Sequence, residues 1–297
     1  MDKKLVIFGG GGFVGGNMTE IARQKGWKVY IADSFFRPGL EGVEWRTVDI
    51  ADTAVVERLI AEIRPDAVVN VAAVADIDKA EHEKELAWKV NVEGAANIAA
   101  GCAKNGVRNI FFSSDAVFDG EGGNYTEEHP VNPVNYYGRT KAEAEKVVLK
   151  ADPKAAVIRI SLVIGFPVTG GNSFFAGLEK KLSEGQDILC PAEEIRTPVD
   201  VLTLSECVLE LAENNYSDVL HIGATDSINR LELTRKAAVR MGFDESRVKV
   251  KPLQDMTGGR LPRHKNGIIC VRKAQTVLKT ALLSVEESIE RAFRDRL

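Results

Sequence analysis

The chain has 297 residues, of which 44% are hydrophobic and 28% charged, and its formal net charge is −4. The hydrophobic content suffices for a large core, and the length suggests about two structural units. Because charges of both signs are mixed along the chain, we expect no basic surface that binds nucleic acid or an anionic membrane. No apolar run reaches the ~18 residues of a membrane span. We expect no signal peptide, because the first predicted strand lies close to the start of the sequence. Four cysteines and four histidines are scattered without metal-ligand spacing. We therefore expect a cytoplasmic protein without a metal site, a nucleic-acid partner or a membrane.

Apolar strands and amphipathic helices alternate along the first half of the sequence. We predict strands at Leu5–Phe8, Lys28–Ala32, Glu44–Val48, Ala67–Asn70, Asn109–Ser113 and Ala156–Ser161, and helices at Phe13–Lys25, Ala54–Ile63, Glu85–Asn105 and Tyr136–Lys150. This alternation predicts an α/β fold with a doubly wound parallel sheet, the Rossmann fold. Because ligands of such sheets bind at the carboxyl ends of the strands, the residues after each strand are the candidate site residues.

A glycine-rich turn follows the first predicted strand. The spacing Gly9-x-x-Gly12-x-x-Gly15 is typical of a dinucleotide-binding turn, in which backbone N–H groups at a helix start hold a pyrophosphate. A side chain at Gly9 or Gly12 would keep phosphates from approaching the backbone, and Gly15 would let the helix pack close to the sheet. The alternative is an ordinary tight turn between a strand and a helix.

Asp33 ends the second strand, about 20 residues beyond the glycines, where the dinucleotide motif carries an acidic residue for the ribose. A carboxylate there accepts hydrogen bonds from both ribose hydroxyls of NAD and repels a 2′-phosphate. Arg37, four residues later, keeps NADP open as an alternative because its side chain could reach that phosphate. Asp33 could instead be a turn residue or a helix cap, but its spacing from the glycines favours the ribose role.

Further candidate residues follow the third and fourth strands. Asp49-Ile50 could flank an adenine, and the alternative is that Asp49 caps the next helix. The small residues of Ala72-Ala73-Val74 would let a cofactor pass close to the backbone. Asn91 and Gly94 are unfavourable inside a helix, so we expect tertiary packing to require them.

Ser114, Tyr137 and Lys141 form the candidate catalytic set. Ser114 follows the fifth strand, and Tyr137 and Lys141 share one helix face because they are four residues apart. A free tyrosine has a pKa of about 10, and a nearby ammonium lowers this pKa toward the range useful for proton transfer. Ser114 could hold a substrate carbonyl against Tyr137. A tyrosine and a lysine on a partly exposed helix are common, but the preceding motifs favour the catalytic interpretation.

The pattern of alternating elements loosens after Ser161. We predict helices at Phe174–Ser183, Leu202–Glu213, Leu231–Met241, Arg272–Lys279 and Val285–Arg294, and a last strand at Leu220–Gly223. The dinucleotide-binding domain is predicted to span residues 1–165 and to be completed by about 196–225. Residues 166–195 and 226–297 would form a smaller C-terminal substrate-binding lobe. Arg196, Arg260 and Arg263 are candidates for phosphate contacts, and the alternative for each is a surface arginine.

Taken together, these motifs resemble the extended short-chain dehydrogenases/reductases, and most of all their dTDP-4-dehydrorhamnose reductase branch. The resemblance rests on Gly9–Gly15, Pro65–Ala73, Asp78–Ala99, Ser113–Gly120, Tyr137–Glu145, Arg159–Ser161, Gly171–Phe174 and Arg196–Asp200. It implies that Tyr137 donates a proton, Lys141 binds the nicotinamide ribose and Ser114 orients the carbonyl. The implied cofactor site comprises these catalytic residues Tyr137 and Lys141 with Gly9, Gly12, Phe13, Val14, Gly15, Asp33, Asp49, Ile50, Ala72, Ala73 and Val74. The expected substrate site comprises Ser114, Asp115, Asn172 and Arg196.

The implied reaction is reduction of the keto group of a nucleotide-linked deoxysugar, with NAD(H) as the expected cofactor and NADP(H) as the alternative. Two positions depart from that branch, because Ala116 stands where an aromatic residue is usual and Leu162 where a tryptophan is usual. These replacements remove stacking surface for a sugar. Similar motifs occur in proteins resembling the methionine adenosyltransferase beta subunit, which binds a nicotinamide nucleotide and serves a partner enzyme. A non-catalytic regulatory subunit, or another sugar-nucleotide reductase or epimerase, is therefore the alternative function. If the chain associates with copies of itself, we expect a homodimer.

Overall fold

The computed structural model describes residues 3–37, 40–169, 171–252 and 263–294. Its strands are β1 Lys4–Phe8, β2 Lys28–Asp33, β3 Glu44–Thr47, β4 Ala67–Asn70, β5 Arg108–Ser114, β6 Ala156–Ile160, β7 Val163–Ile164, β8 Ile188–Cys190, β9 Ile195–Arg196, β10 Val199–Asp200, β11 Asp218–Ile222, β12 Ile228–Asn229, β13 Val248–Val250 and β14 Asn266–Gly267. Its helices are α1 Phe13–Gln24, α2 Thr53–Ile63, α3 Ile77–His82, α4 Lys84–Trp88, α5 Ala95–Asn105, α6 Tyr136–Ala151, α7 Phe174–Ser183, α8 Val201–Glu213, α9 Arg230–Arg240, α10 Arg272–Val277 and α11 Val285–Arg294.

The predicted parallel sheet is the centre of the fold. In the described part of the chain, seven strands pair in the order β11-β6-β5-β4-β1-β2-β3. Every neighbouring pair in this order is parallel. The order changes direction between β1 and β4, which places a crevice at the carboxyl ends of these two strands. The predicted fold class is therefore confirmed, and the predicted strand bounds of this sheet differ from the observed ones by at most two residues.

The two faces of the sheet bury alternate residues of the same strands. Leu5 and Ile7 of β1 pack with Met18 of α1 and with residues of α8, whereas Val6 and Phe8 pack on the opposite face with α2 and α5. Because successive side chains of a strand point to opposite faces, a sheet covered on both sides requires a continuous apolar run. Fully burying each such side chain contributes about 1.5–3 kcal/mol, which explains the apolar run Leu5–Phe8 in the central strand β1.

The long helix predicted at Glu85–Asn105 is interrupted. Its first part is α4, and its last part is α5, but residues Lys89–Gly94 between them form a wider π-helical turn. Gly94 in this turn packs against Ile50, and a β-carbon on Gly94 would lie 2.5 Å from Ile50 Cγ1. Tertiary packing therefore requires the glycine, as expected. The sequence prediction was wrong about helical continuity because the spacing of apolar residues does not reveal one widened turn.

The C-terminal third forms a second apolar cluster beside the main sheet. Its largest contributions come from α7, α9 and α11, and the cluster includes Phe175, Leu182, Leu233 and Ile289. The short strands around it make small pairings, β12-β9-β14, β13-β8 and β10-β7. As predicted, α8 packs back on the main sheet and β11 extends that sheet. Among the helices described, none is long and apolar enough to cross a bilayer.

Candidate active site

The glycine turn lies between β1 and α1 at the crevice of the sheet. Gly9 has a φ of +83°, a conformation that glycine adopts readily. A β-carbon on Gly9 would lie 2.7 Å from the backbone nitrogen of Ala72, and one on Gly15 would lie 2.5 Å from the Gly9 carbonyl oxygen. Gly12 precedes α1, whose N-terminus has no side-chain cap and no acidic residue in its first turn. This turn has the features of a pyrophosphate site, because bare N–H groups and a positive helix end are both present.

A neighbouring segment also approaches this helix start. Thr169 donates a hydrogen bond to the carbonyl oxygen of Gly11 at 3.2 Å. A β-carbon on Gly171 would lie 3.1 Å from the backbone nitrogen of Phe13. Glycine at position 171 therefore keeps a side chain out of the space beside this N–H group. Phe13 and Val14 are partly buried and pack with their side chains against the core.

Asp33 lies beside the glycine turn, as its spacing predicts. Its Oδ2 accepts a hydrogen bond from the Gly11 N–H at 3.0 Å, and its Oδ1 accepts one from the Ser34 N–H at 2.8 Å. These contacts fix the carboxylate at the carboxyl end of β2. A ribose held at this carboxylate would lie directly beside the pyrophosphate turn, so the residues fit a dinucleotide.

Asp49 and Ile50 have different environments. The cap of α2 is Asp52, whose side chain accepts the Val55 N–H, so the alternative interpretation of Asp49 as the helix cap was wrong. Asp49 instead accepts the Ala51 N–H at 3.0 Å, and its side chain is 61% exposed. Ile50 is buried. Adenine contacts of Asp49 and Ile50 stay a prediction.

The loop Ala72–Val74 is held in place by Asn91. The Asn91 side chain accepts the Val74 N–H at 2.8 Å and donates to the Thr140 hydroxyl at 2.9 Å. Asn91 therefore ties the loop after β4 to α6 through the π-helical turn. This role explains a polar residue that was unfavourable in the predicted helix. Ala72, Ala73 and Val74 are partly buried at the crevice.

The structure places two of the three predicted catalytic residues, Ser114 and Tyr137, at one cleft. Ser114 ends β5, and the side chain of Asn135 caps α6 by accepting the Gly138 N–H at 2.9 Å. Gly138 packs against the Ala116 carbonyl oxygen so closely that a side chain would not fit. The start of α6 thus lies against the residues that follow Ser114. A cleft of about 320 Å³ results, and its lining includes Ser114, Asp115, Ala116, Tyr137, Ser161, Leu162, Glu194, Arg196, Arg230, Arg263 and His264.

The electrostatics of Tyr137 differ from the sequence-based expectation. Burial raises the pKa of Tyr137 to about 12, although a hydrogen bond with Ser114 opposes this rise. The ammonium of Lys141 does not face the phenol, because it donates to the Phe112 carbonyl at 2.6 Å and lies 4.7 Å above the Phe111 ring. The expected lowering of the Tyr137 pKa by Lys141 is therefore absent. Tyr137 holds its proton firmly, as a proton donor must at neutral pH.

We predict an alkaline limit of activity that arises from Lys141. Burial lowers the pKa of Lys141 to about 8, while Glu145 opposes this shift. Above that pH the side chain loses its proton and its positive charge, so we expect kcat/KM to fall as pH rises through about 8. A pH profile from 6 to 10 measures this fall. In Lys141→Arg the cation persists throughout this range, so any residual activity should lack the alkaline limb. A flat wild-type profile up to pH 10 would contradict the assignment.

Asp115 has protein partners for both carboxylate oxygens. Oδ1 accepts the Ser114 hydroxyl at 3.1 Å, and Oδ2 accepts the Ser161 hydroxyl at 2.8 Å and lies 3.2 Å from His264 Nε2. Burial would raise the pKa of Asp115, but His264 and Arg196 outweigh it and lower the pKa to about 2. Asp115 is therefore an anion that holds Ser114 in place. Its direct contact with substrate stays a prediction.

The other predicted substrate residues lie in different places. Arg196 lines the cleft, and its guanidinium also donates to the carbonyl oxygens of His264 and Lys265. Asn172 is exposed and lines a neighbouring cleft of about 430 Å³ rather than the cleft beside Tyr137. Arg263 lines the catalytic cleft and forms a two-point ion pair with Asp78. Arg260 lies outside the described residues.

A family model described as the RmlD substrate binding domain matches residues 3–297. The chain belongs to this family. Over 258 residues it is 33% identical to the dTDP-4-dehydrorhamnose reductase of Mycobacterium tuberculosis, and the match covers 83% of this chain and 78% of that protein. It is 28% identical over 271 residues to the methionine adenosyltransferase 2 subunit beta of Xenopus tropicalis, covering 89% of this chain and 79% of that protein.

A solved structure supports the same family relationship. The crystal structure of dTDP-4-dehydrorhamnose reductase from Bacillus anthracis, in complex with NADP, matches this member of the RmlD family with a TM-score of 0.88. Sequence identity is 25%, and the match covers 99% of this chain and 100% of that chain. The resemblance inferred from the motifs is therefore confirmed.

Sequence reasoning missed three polar residues that line the cleft beside Tyr137. Glu194, Arg230 and His264 all line the cleft, although none lies in a motif that the sequence singled out. Arg230 also lines the neighbouring cleft that contains Asn172, so it stands where the two clefts meet. Its only sequence signal is its position at the start of α9, directly after the Asn229 cap.

We predict that Gly9→Ala destabilises the protein and prevents dinucleotide binding. The left-handed conformation costs a non-glycine residue about 1–2 kcal/mol, and the new methyl group would also collide with the Ala72 backbone. Gly26→Ala is the matched control, because Gly26 has the same φ of +83° and no neighbouring atom within 4 Å. Urea unfolding and calorimetric titration with NAD⁺ should show a larger loss for Gly9→Ala in both measurements. Equal losses for the two variants would refute the steric argument.

Proposed function

We propose that the protein is an NAD(P)H-dependent reductase of a nucleotide-linked keto-deoxysugar, with dTDP-4-dehydrorhamnose as the candidate substrate. The observation that carries this proposal is that Ser114 and Tyr137 line one cleft, with Lys141 one helical turn beyond Tyr137 in α6. The names of the relatives support this choice of substrate, because the Mycobacterium tuberculosis relative is a dTDP-4-dehydrorhamnose reductase.

Each catalytic side chain has a role that its surroundings support. A bound dihydronicotinamide supplies the hydride. Tyr137 gives its phenolic proton to the oxygen of the carbonyl as that oxygen gains negative charge, and its raised pKa of about 12 keeps the proton available until then. Ser114, held by Asp115, orients the carbonyl oxygen. Lys141 is buried in α6 one turn beyond Tyr137, and the family resemblance assigns its ammonium to binding of the nicotinamide ribose.

The two adjacent clefts match the two halves of a nucleotide-linked sugar. The cleft beside Tyr137 would hold the sugar, and the neighbouring cleft lined by Asn172 and Phe174 would hold the nucleoside. Arg230 lines both clefts, and its guanidinium lies 4.1 Å above the Phe174 ring. We therefore assign the diphosphate to the junction at Arg230, since guanidinium groups bind phosphate oxygens in two-point contacts.

We propose NAD(H) as the preferred cofactor and retain NADP(H) as the alternative. Asp33 is fixed beside Gly11, where its negative charge would repel a 2′-phosphate. The Arg37 guanidinium lies 4.6 Å above the Phe35 ring. The Bacillus anthracis structure contains NADP, which keeps the alternative open for this chain. We also propose a cytoplasmic location, because all four cysteines are buried free thiols, as is usual in a reducing compartment.

The test is an absorbance assay of dihydronicotinamide oxidation with purified protein. We expect turnover of dTDP-4-dehydrorhamnose, with a lower KM for NADH than for NADPH. A UDP-linked 4-keto sugar tested in parallel shows which nucleotide the second cleft accepts. Tight dinucleotide binding without turnover of any keto sugar, together with a stable complex with methionine adenosyltransferase, would instead establish the regulatory-subunit alternative. The similarity to the Xenopus tropicalis subunit makes that control necessary.

A further inference from the structure

An aromatic side chain borders the place where Asp33 meets the glycine turn. A β-carbon built on Gly11 would lie 3.0 Å from Asp33 Oδ2 and 3.2 Å from Cη2 of the Trp45 ring. The carboxylate and the indole thus approach one point from two sides. Trp45 lies in β3, in register with Ile31 of β2, and its side chain is only partly buried. The absence of a side chain on Gly11 is what allows the ring to come so close.

Phe36 extends this aromatic surface into solvent, and its chain neighbour Phe35 is exposed as well. The Phe36 ring meets the Trp45 ring edge to face, with 5.2 Å between ring centroids. Phe35 is 49% exposed and Phe36 is 62% exposed, although large apolar side chains gain free energy when covered. Because this surface is continuous with Asp33 and the glycine turn, the group placed to cover it is the adenosine half of a bound dinucleotide.

We propose that Trp45 is a specificity-determining residue for the cofactor, because its ring, supported by Phe36, packs against the adenosine and fills the space that a 2′-phosphate would need. This inference rests on the proposed binding of a nicotinamide dinucleotide. Discrimination between NAD and NADP would then depend on the Trp45 ring as well as on the negative charge of Asp33.

Two features of this region favour an unphosphorylated ribose. A 2′-phosphate brings a charge of about −1.5 to −2, which needs water or cations around it. The Trp45 ring and the Asp33 carboxylate border the same point beside Gly11, so the ring occupies space next to the carboxylate. The nearest arginines along the chain have other contacts, because Arg46 pairs with Glu44 at 3.0 Å and Arg37 lies over Phe35. A ribose with a free 2′-hydroxyl needs neither space nor cations there, and it can donate to Asp33.

The test is calorimetric titration of wild-type protein, Trp45→Ala and Trp45→Phe with NAD⁺ and NADP⁺. Removing an aromatic ring that stacks on a nucleotide weakens binding by about tenfold. We therefore expect the Kd for NAD⁺ to rise about tenfold in Trp45→Ala while the Kd for NADP⁺ does not rise, so that the preference for NAD⁺ falls. Trp45→Phe keeps a ring and should retain most of the NAD⁺ affinity.

Trp88→Ala is the matched control, since Trp88 lies in α4 and is also partly exposed, at 39%. It should change neither Kd, and thermal unfolding without cofactor should show that the Trp45 variants are folded. Unchanged binding in Trp45→Ala, or equal weakening for both dinucleotides, would overturn the proposal for Trp45. Failure of the wild-type protein to bind either dinucleotide would overturn the proposed function itself, so the two failures are distinguishable.

Discussion

Replacing Tyr137 by phenylalanine is expected to lower kcat by about 10²–10⁴-fold, the usual contribution of a positioned general acid. The change removes one hydroxyl from a partly buried ring and leaves the packing of α6 against Ala116 intact. The proton that neutralises the developing alkoxide would then have to come from water. Steady-state kinetics with dTDP-4-dehydrorhamnose and NADH measures the loss.

Two comparisons make this result specific. The Kd of Tyr137→Phe for the dinucleotide should stay within about threefold of wild type, because uncharged hydroxyl contacts contribute little net binding. Tyr136→Phe is the matched control, since the Tyr136 ring lies below the Lys84 ammonium, 5.4 Å from it, outside the catalytic cleft. Its kcat should remain near the wild-type value. Wild-type turnover in Tyr137→Phe would exclude this phenol as the proton donor.

Replacing Arg159 by methionine is expected to lower the free energy of unfolding by about 3–5 kcal/mol, because it leaves the Glu145 carboxylate buried without its cation. Arg159 in β6 donates to both Glu145 oxygens, at 2.9 and 2.7 Å, and both side chains are at least nine-tenths buried. Glu145 lies in α6, one turn beyond Lys141. The ion pair therefore anchors the helix that carries the catalytic residues. Urea denaturation measures the loss.

The double variant Arg159→Met/Glu145→Leu distinguishes the loss of the ion pair itself from the cost of leaving one of its charges buried alone. Removing both charges leaves neither member of this ion pair buried without its counter-ion, so most of the lost stability should return. Lys146→Met provides the surface control, because its ion pair with Glu143 in the same helix is exposed and should contribute at most about 1 kcal/mol. A loss below 1 kcal/mol in Arg159→Met, or a double variant as unstable as the single one, would contradict this role.

The parts of the site that lie in one short stretch were predictable from the sequence. Gly9, Asp33 and Ser114 each follow a buried strand, and the strand order then brings Asp33 to the Gly11 N–H. Tyr137 and Lys141 were correctly placed on one helix. Their electrostatic relationship was not predictable, because four-residue spacing does not reveal that the ammonium of Lys141 turns toward the Phe112 carbonyl.

The rest of the candidate site could not be predicted from the sequence, because it depends on contacts between segments that are distant along the chain. Arg230 and His264 reach the cleft from the C-terminal third, where the described strands other than β11 are only two or three residues long and carry no periodic pattern. Asp49 and Asp52 both precede α2, and either could cap it. The residue at which the first helical turn begins decides between them, and in the structure that residue is Thr53. Trp45 is an ordinary strand residue in the sequence, and its position beside Asp33 depends on a glycine in another turn.

Transfer of a deuterium label from the cofactor to the sugar would show directly whether this protein reduces the keto sugar with hydride from the nicotinamide. Purified protein would be incubated with dTDP-4-dehydrorhamnose and NADH that carries deuterium at the transferable position of the nicotinamide, and the product examined by mass spectrometry and NMR. The proposed hydride transfer predicts one deuterium at C4 of the reduced sugar, with wild-type protein and not with Tyr137→Phe over the same time. A folded protein that binds the dinucleotide but leaves the keto sugar unreduced and unlabelled would contradict it.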